Sequence, residues 1–189
     1  MRPNEPGTPL IVSGRILDGH GRPLAGAKLD IYHAANNGNY SGLYDDRVPK
    51  YNLRGHQLTD AEGRYAFTTV TPVAYADHHI TGINEVVEAV AALGRSLYRP
   101  AHIHYEVHHP DLITSWRGEI YFKGDPVIPV DFVGGTLAPP ALQADTVLHD
   151  DPKDIAAHGF KAPYRTMEFD FLLKTHAGPD SIASEERTG

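Results

Sequence analysis

Apolar and polar side chains alternate in short runs along this chain, and glycine and aspartate break the runs. A period of two marks strands with one buried face. Residues 10–17 are rich in Ile, Val and Leu and end in the turn Asp18-Gly19-His20-Gly21. In 27–34, Leu29 and Ile31 share one face and Lys28 and Asp30 the other. The turn Asp60-Ala61-Glu62-Gly63 leads into 64–70, with Tyr65 and Phe67 as its inward pair. Residues 102–109 place Ile103, Tyr105 and Val107 on one face, and 113–122 and 166–173 complete the set, the last with Met167, Phe169 and Phe171 in phase. The expected fold is all-β, an antiparallel β-sandwich. One short helix interrupts it, with Asn84 as cap, Val86, Val87 and Val90 as its apolar stripe and Gly94 at its end. Between Lys123 and Arg165 a long, irregular, proline-rich loop is expected. Residues 1–174 then form one domain, and 175–189 a small, polar, disordered tail.

The composition excludes several chemistries. There are 12 histidines and no cysteine. Disulfides, iron–sulfur clusters, thiolate zinc sites and cysteine nucleophiles are therefore ruled out. A metal must be held by imidazole, carboxylate, phenolate or carbonyl groups. Lys+Arg 17 less Asp+Glu 24 gives a net charge of −7. Such a chain lacks the positive footprint that nucleic acid and anionic membrane surfaces require, so neither is an expected partner. There is no run of 18 apolar residues to cross a membrane. Met1 to Pro9 lacks the charged start and apolar stretch of a signal peptide, which makes a cytoplasmic location the expectation.

The most informative segment is Arg99-Pro100-Ala101-His102-Ile103-His104. Residues two apart on a strand share a face, so His102 and His104 project together while Ile103 turns to the core. Imidazoles about 6–7 Å apart along a strand can converge on one metal. On spacing alone, two solvated histidines on a polar strand face remain equally open.

The flanking residues add to this. Arg99–His104 with Tyr105-Glu106-Val107 resembles the R-P-A-H-I-H-F/Y-x-V signature of intradiol ring-cleavage dioxygenases. Ile31-Tyr32-His33-Ala34 and Gly38-Asn39-Tyr40-Ser41 resemble that family's W-H-A-N and G-x-Y-S segments. Asn52-Leu53-Arg54, Thr59-Asp60, Gly63-Arg64-Tyr65-Ala66-Phe67, Pro72-Val73-Ala74-Tyr75, Ile120-Tyr121-Phe122 and Gly124-Asp125-Pro126 follow in the family's order. The resemblance runs from about Gly14 to Asp131, and it is to the compact catalytic core of the family.

The resemblance implies a non-haem Fe(III) held by Tyr40, Tyr75, His102 and His104. Two phenolates favour ferric iron, and the cation in turn pulls a phenol below its usual pKa. The implied reaction cleaves the ring of a small aromatic diol with O2 to a cis,cis-muconate-type diacid. Tyr75 is the tyrosinate the diol displaces, and Arg99 stabilises negative charge on the substrate. Arg54, His78 and His79 are candidates for the substrate pocket or its support, and a homo-oligomer is possible within the family. Tyr65, Tyr105 and Tyr121 read as packing residues, and His33 as a brace for its strand.

Two departures limit the transfer. Glu119 stands where the family commonly has glutamine, and Ala35 where it usually has asparagine. A carboxylate at 119 can serve as a base, pair with Arg54 or Arg99, disfavour an anionic substrate, or simply face solvent. Two rival readings stay open. The first half also resembles transthyretin-like and carboxypeptidase-regulatory-like binding modules, and His102, His104 and Glu119 would suit a zinc hydrolase.

Overall fold

The computed structural model describes residues 2, 4–43, 47–76, 78–133 and 138–176, without the side chains of His78 and His79. Its strands are β1 (Pro9–Asp18), β2 (Lys28–Tyr32), β3 (Arg54–Leu58), β4 (Arg64–Val70), β5 (Tyr75–Ala76), β6 (Tyr98–Arg99), β7 (His102–His108), β8 (Trp116–Phe122), β9 (Gln143–Ala144), β10 (Thr146–His149), β11 (Tyr164–Glu168) and β12 (Phe171–Leu173). Its helices are α1 (His78–Thr81), α2 (Asn84–Ala92) and α3 (Pro152–Ala157).

Ten of these strands form two packed sheets, and β5 and β6 pair as a separate ribbon. In the first, β1 pairs antiparallel with β4 on one edge and parallel with β11 and then β12 on the other, and β10 adds outside β11. The second runs β3-β2-β7-β8-β9, antiparallel except for the β8–β9 pair. The sandwich is therefore mixed, not purely antiparallel. Parallel pairs leave no signature in the alternation of a single strand, so the sequence could not reveal them. Leu10, Val12 and Ile16 from β1 meet Leu29, Ile103, Val107 and Ile120 from the other sheet, with Tyr65, Met167 and Phe171 filling the layer between. Burying these side chains is the main favourable term for the fold.

Several local expectations shift. Residues 166–173 divide at Phe169 and Asp170, where the Asp170 carboxylate accepts from the Arg15 N–H at 2.7 Å in place of a ladder bond. The Phe169 carbonyl there accepts from the Tyr65 hydroxyl at 2.5 Å and lies against Gly14. A Cβ on Gly14 would sit 1.9 Å from that oxygen. Gly14→Ala should therefore lower stability by about 3 kcal/mol, read from the urea midpoint. Gly19→Ala, with no atom within 4 Å of its new Cβ, should stay within about 0.5 kcal/mol.

Asn84 is the first helical residue of α2 and not its cap; Ile83 holds that place without a side-chain bond. Gly94 does end the helix, at φ 64°. The stretch expected to be irregular contains α3. Asp151 caps it by accepting from the Lys153 and Asp154 N–H groups, and Pro152 opens it, a start signal present in the sequence. His149 contacts the Asp154 carboxylate at 3.1 Å and the Tyr164 hydroxyl donates to it at 3.0 Å, which ties α3 to β10 and β11. β3 carries almost no apolar pattern because it is an exposed edge strand. Thr175, expected in the disordered tail, is buried and bridges to Leu112; residues 177–189 lie outside the described part. Among the described residues, no helix is long and apolar enough to cross a membrane.

Candidate metal centre

The outer face of the second sheet carries the chemistry. Because Ile103, Tyr105 and Val107 face the core, His102 and His104 of β7 project outward. The register sets Tyr121 opposite His102, and Glu119 and Tyr32 on either side of His104. A two-stranded ribbon then crosses this face, pairing Tyr75 of β5 with Arg99 of β6. Tyr40 arrives from the loop after β2. That loop turns back through bonds from Ala35 N–H to the Asn39 carbonyl and from Gly38 N–H to the Ala35 carbonyl. Gly38 adopts φ 78°, and a Cβ there would come within 2.7 Å of Tyr75 Cβ, so glycine lets the loop and the ribbon meet.

Four donor groups converge. The Nε2 atoms of His102 and His104 are 3.1 Å apart, and the Tyr40 hydroxyl is 3.2 Å from His102 Nε2. The Tyr40 and Tyr75 rings meet edge-on with centroids 5.3 Å apart, and their hydroxyls share a hydrogen bond. His102 Nδ1 donates to the Pro100 carbonyl at 2.7 Å, which leaves the Nε2 lone pair facing inward. The Glu119 carboxylate, 3.5 Å from His104 Nδ1, favours the proton on that nitrogen and turns the second lone pair inward too.

This set fits a metal. Two M–N bonds of about 2.1 Å at a right angle put the nitrogens about 3.0 Å apart. Outer partners on the far nitrogens are the usual accompaniment of histidine ligands. Burial pushes the Tyr40 and Tyr75 phenols up and the His102 imidazole down. Burial and the neighbouring His102 bring His104 down to about 3. Near neutral pH these groups are uncharged without a cation, and a multivalent cation at their focus would ionise the phenols.

Arg99 closes one side. Its Nη1 and Nη2 donate to the two Glu119 oxygens at 2.9 and 2.7 Å, and Asp131 lies 3.6 Å away, fully buried. The Tyr121 hydroxyl also donates to Glu119. Burial pushes Glu119 up, but Arg99, His102 and Tyr121 outweigh it and hold it at about 2. Of the roles open to Glu119, the pairing with Arg99 is present in the structure.

Arg54 stands one layer out. Its guanidinium lies over the Tyr32 ring at 4.6 Å, and Tyr32 stacks on His104 at 4.5 Å. Arg54 Nε donates to the Ser41 carbonyl at 3.0 Å. It braces a ligand candidate through Tyr32 instead of pairing with Glu119. His33 is buried between Ala34 and Thr69, bonded to both at 2.8 and 2.6 Å, as a strand brace. The side chains of His78 and His79 lie outside the described part. Tyr121 is buried, as its reading as a packing residue expects, and its hydroxyl also serves Glu119 on the outer face, a placement legible from the two-residue spacing. Tyr32 lies in the Ile31–Ala34 motif but has no role assigned there, and Asp131 carried no local signal.

The comparisons with known proteins bear on this arrangement. The sequence model of the Dioxygenase_C family, described as Dioxygenase, matches residues 1–175. The chain belongs to the intradiol dioxygenase family. It is 38% identical to catechol 1,2-dioxygenase 2 of Acinetobacter lwoffii over 144 residues, 75% of this chain and 50% of that one. It is 34% identical to hydroxyquinol 1,2-dioxygenase of Rhizobium sp. (strain MTP-10005) over 168 residues, 88% of this chain and 55% of the relative. The solved structure of catechol 1,2-dioxygenase from Acinetobacter sp. ADP1, inhibited by bound mercury, superposes with a TM-score of 0.78 at 33% identity. That match covers 92% of this chain and 54% of the other. The chain thus spans about half the length of these relatives.

Proposed function

We propose that this chain is the catalytic core of a non-haem ferric intradiol dioxygenase acting on a catechol-type diol and O2. The product is a cis,cis-muconate-type diacid. The observation that carries this reading is the convergence of Tyr40, Tyr75, His102 and His104 on one point. Bound there, Fe(III) would supply a Lewis acid that draws electron density from a chelated diol and makes its ring reactive toward O2.

The chain's own residues divide the remaining work. Tyr40, His102 and His104 would hold the cation. The Pro100 carbonyl and Glu119 fix the orientation of the two imidazoles. Tyr75 sits on a two-residue strand and is half-buried, so it is the phenolate that yields its place and accepts a diol proton at its oxygen. Arg99 sets a buried positive charge 3.3 Å from His102 Nε2, where negative charge develops.

The zinc-hydrolase reading has weaker support, because both Glu119 oxygens are engaged by Arg99 and two tyrosines stay unexplained. The binding-module reading accounts for the sandwich and not for the donor cluster. Colour tests the proposal. Purified or ferric-loaded protein should show a tyrosinate-to-iron visible band that shifts when catechol is added without O2. A colourless protein that stays inert after ferric loading would return the chain to the binding modules.

A further inference from the structure

The acid at position 119 is central to the site, and its consequences reach beyond holding Arg99. Glu119 is half-buried, lies 3.8 Å from His102 Nε2 and 3.5 Å from His104 Nδ1, and occupies both terminal nitrogens of Arg99. Arg99 Nε is buried and keeps no partner. With Asp131 at 3.6 Å, two carboxylates face one guanidinium. Among the described residues, the two carboxylates thus share this one buried guanidinium.

A cavity of about 400 Å³ opens beside this acid, lined among others by Tyr32, His104, Arg117, Glu119, Tyr121 and Leu142. The volume is ample for a single substituted ring. Among the described residues of its lining, Glu119 is the one acid. Among the same residues Arg117 is the one fixed cation, but its side chain is 72% exposed and paired with Glu106 at 3.0 Å. A solvated, paired charge at the rim is screened and does little to offset a charge held inside.

We infer that Glu119 is a specificity-determining residue that turns this site against diols bearing a ring carboxylate and toward neutral or cationic ones. The inference rests on the dioxygenase reading above. A substrate carboxylate entering this cavity meets a like charge whose compensating cation is already shared with Asp131. At about 7 Å and an effective dielectric of about 20, two such charges repel enough to weaken binding by a few tens-fold. A neutral ring pays nothing of the kind, and an ammonium on the same position gains.

The test measures binding in the iron-loaded protein without O2, by calorimetry and by the shift of the visible band. The probes are 4-methylcatechol, 3,4-dihydroxybenzoate and 3,4-dihydroxybenzylamine. The wild type should bind the methyl compound at least about 10-fold more tightly than the carboxylate, and the amine at least as tightly as the methyl compound. Glu119→Gln, which keeps the shape and removes the charge, should narrow the methyl-to-carboxylate ratio by about 10-fold. If Glu119 only anchors Arg99, the variant will weaken all three probes in parallel and the ratio will stand, which overturns the inference. Loss of iron from Glu119→Gln overturns it as well, since the acid would then be part of the metal's hold. If the variant does not fold, the order of the three probes on the wild type decides: a carboxylate bound as tightly as the methyl compound overturns the inference. A wild type with no visible band and no diol binding overturns the dioxygenase reading and this inference together.

Discussion

Arg99→Ala should slow ring cleavage by about 10²–10³-fold, a loss typical of removing a group that stabilises charge in the transition state. It should also lower stability by about 3–5 kcal/mol, because it removes the guanidinium that pairs with the Glu119 carboxylate inside the site. Arg99→Lys separates the two effects. An ammonium restores the charge but cannot grip both Glu119 oxygens as the planar guanidinium does. The lysine variant should regain most of the lost stability, read from urea unfolding of the metal-free protein, while kcat/KM on catechol stays at least about 10-fold down. Full rate in the alanine variant would remove Arg99 from the reaction. Equal recovery of rate and stability in the lysine variant would show that charge alone is needed there.

The same pair marks where sequence reasoning reached and where it stopped. Strand alternation placed β1, β2, β4 and β7 closely, because each turns alternate apolar residues to the core. It placed His102 and His104 on one side of β7 for the same reason. It could not place β3, whose residues are nearly all exposed, or the parallel partners of β1, whose pairing depends on which strands meet and not on their own pattern. Tyr40 and Tyr75 were reached through motif resemblance alone. Their meeting depends on Gly38 passing beneath Tyr75 Cβ, a contact between segments 37 residues apart that no local spacing encodes. The Glu119 to Arg99 pairing was one of four open roles, and only the register of β7 against β8 and of β5 against β6 selects it. Asp131 had no signal at all. Its burial is known only once the chain has closed over Arg99.

The two tyrosines should separate sharply in substitution. Tyr40 is 4% exposed, its hydroxyl lies 3.2 Å from His102 Nε2, and its loop is fixed by two backbone bonds. Tyr75 is half-buried, on a ribbon held by just two residue pairs, with Arg99 and Tyr40 bonded to its hydroxyl. A rigid, enclosed donor keeps its geometry through a reaction cycle; a donor on a short ribbon can give way to substrate and return. Tyr40→Phe should therefore lose most bound iron, to below about a tenth of an equivalent by metal analysis, and with it the visible band and activity. Tyr75→Phe should keep most of its iron and a band from the remaining phenolate, yet lose about 10²-fold or more in rate, the range expected when a positioned proton acceptor is removed. Substrate should still shift that band, because binding needs the vacated position and not the phenol. Equal and complete retention of iron and activity in both variants would sink the ligand assignment. The reverse order, with iron lost from Tyr75→Phe and kept by Tyr40→Phe, would exchange the two roles and make the buried tyrosine the one that moves.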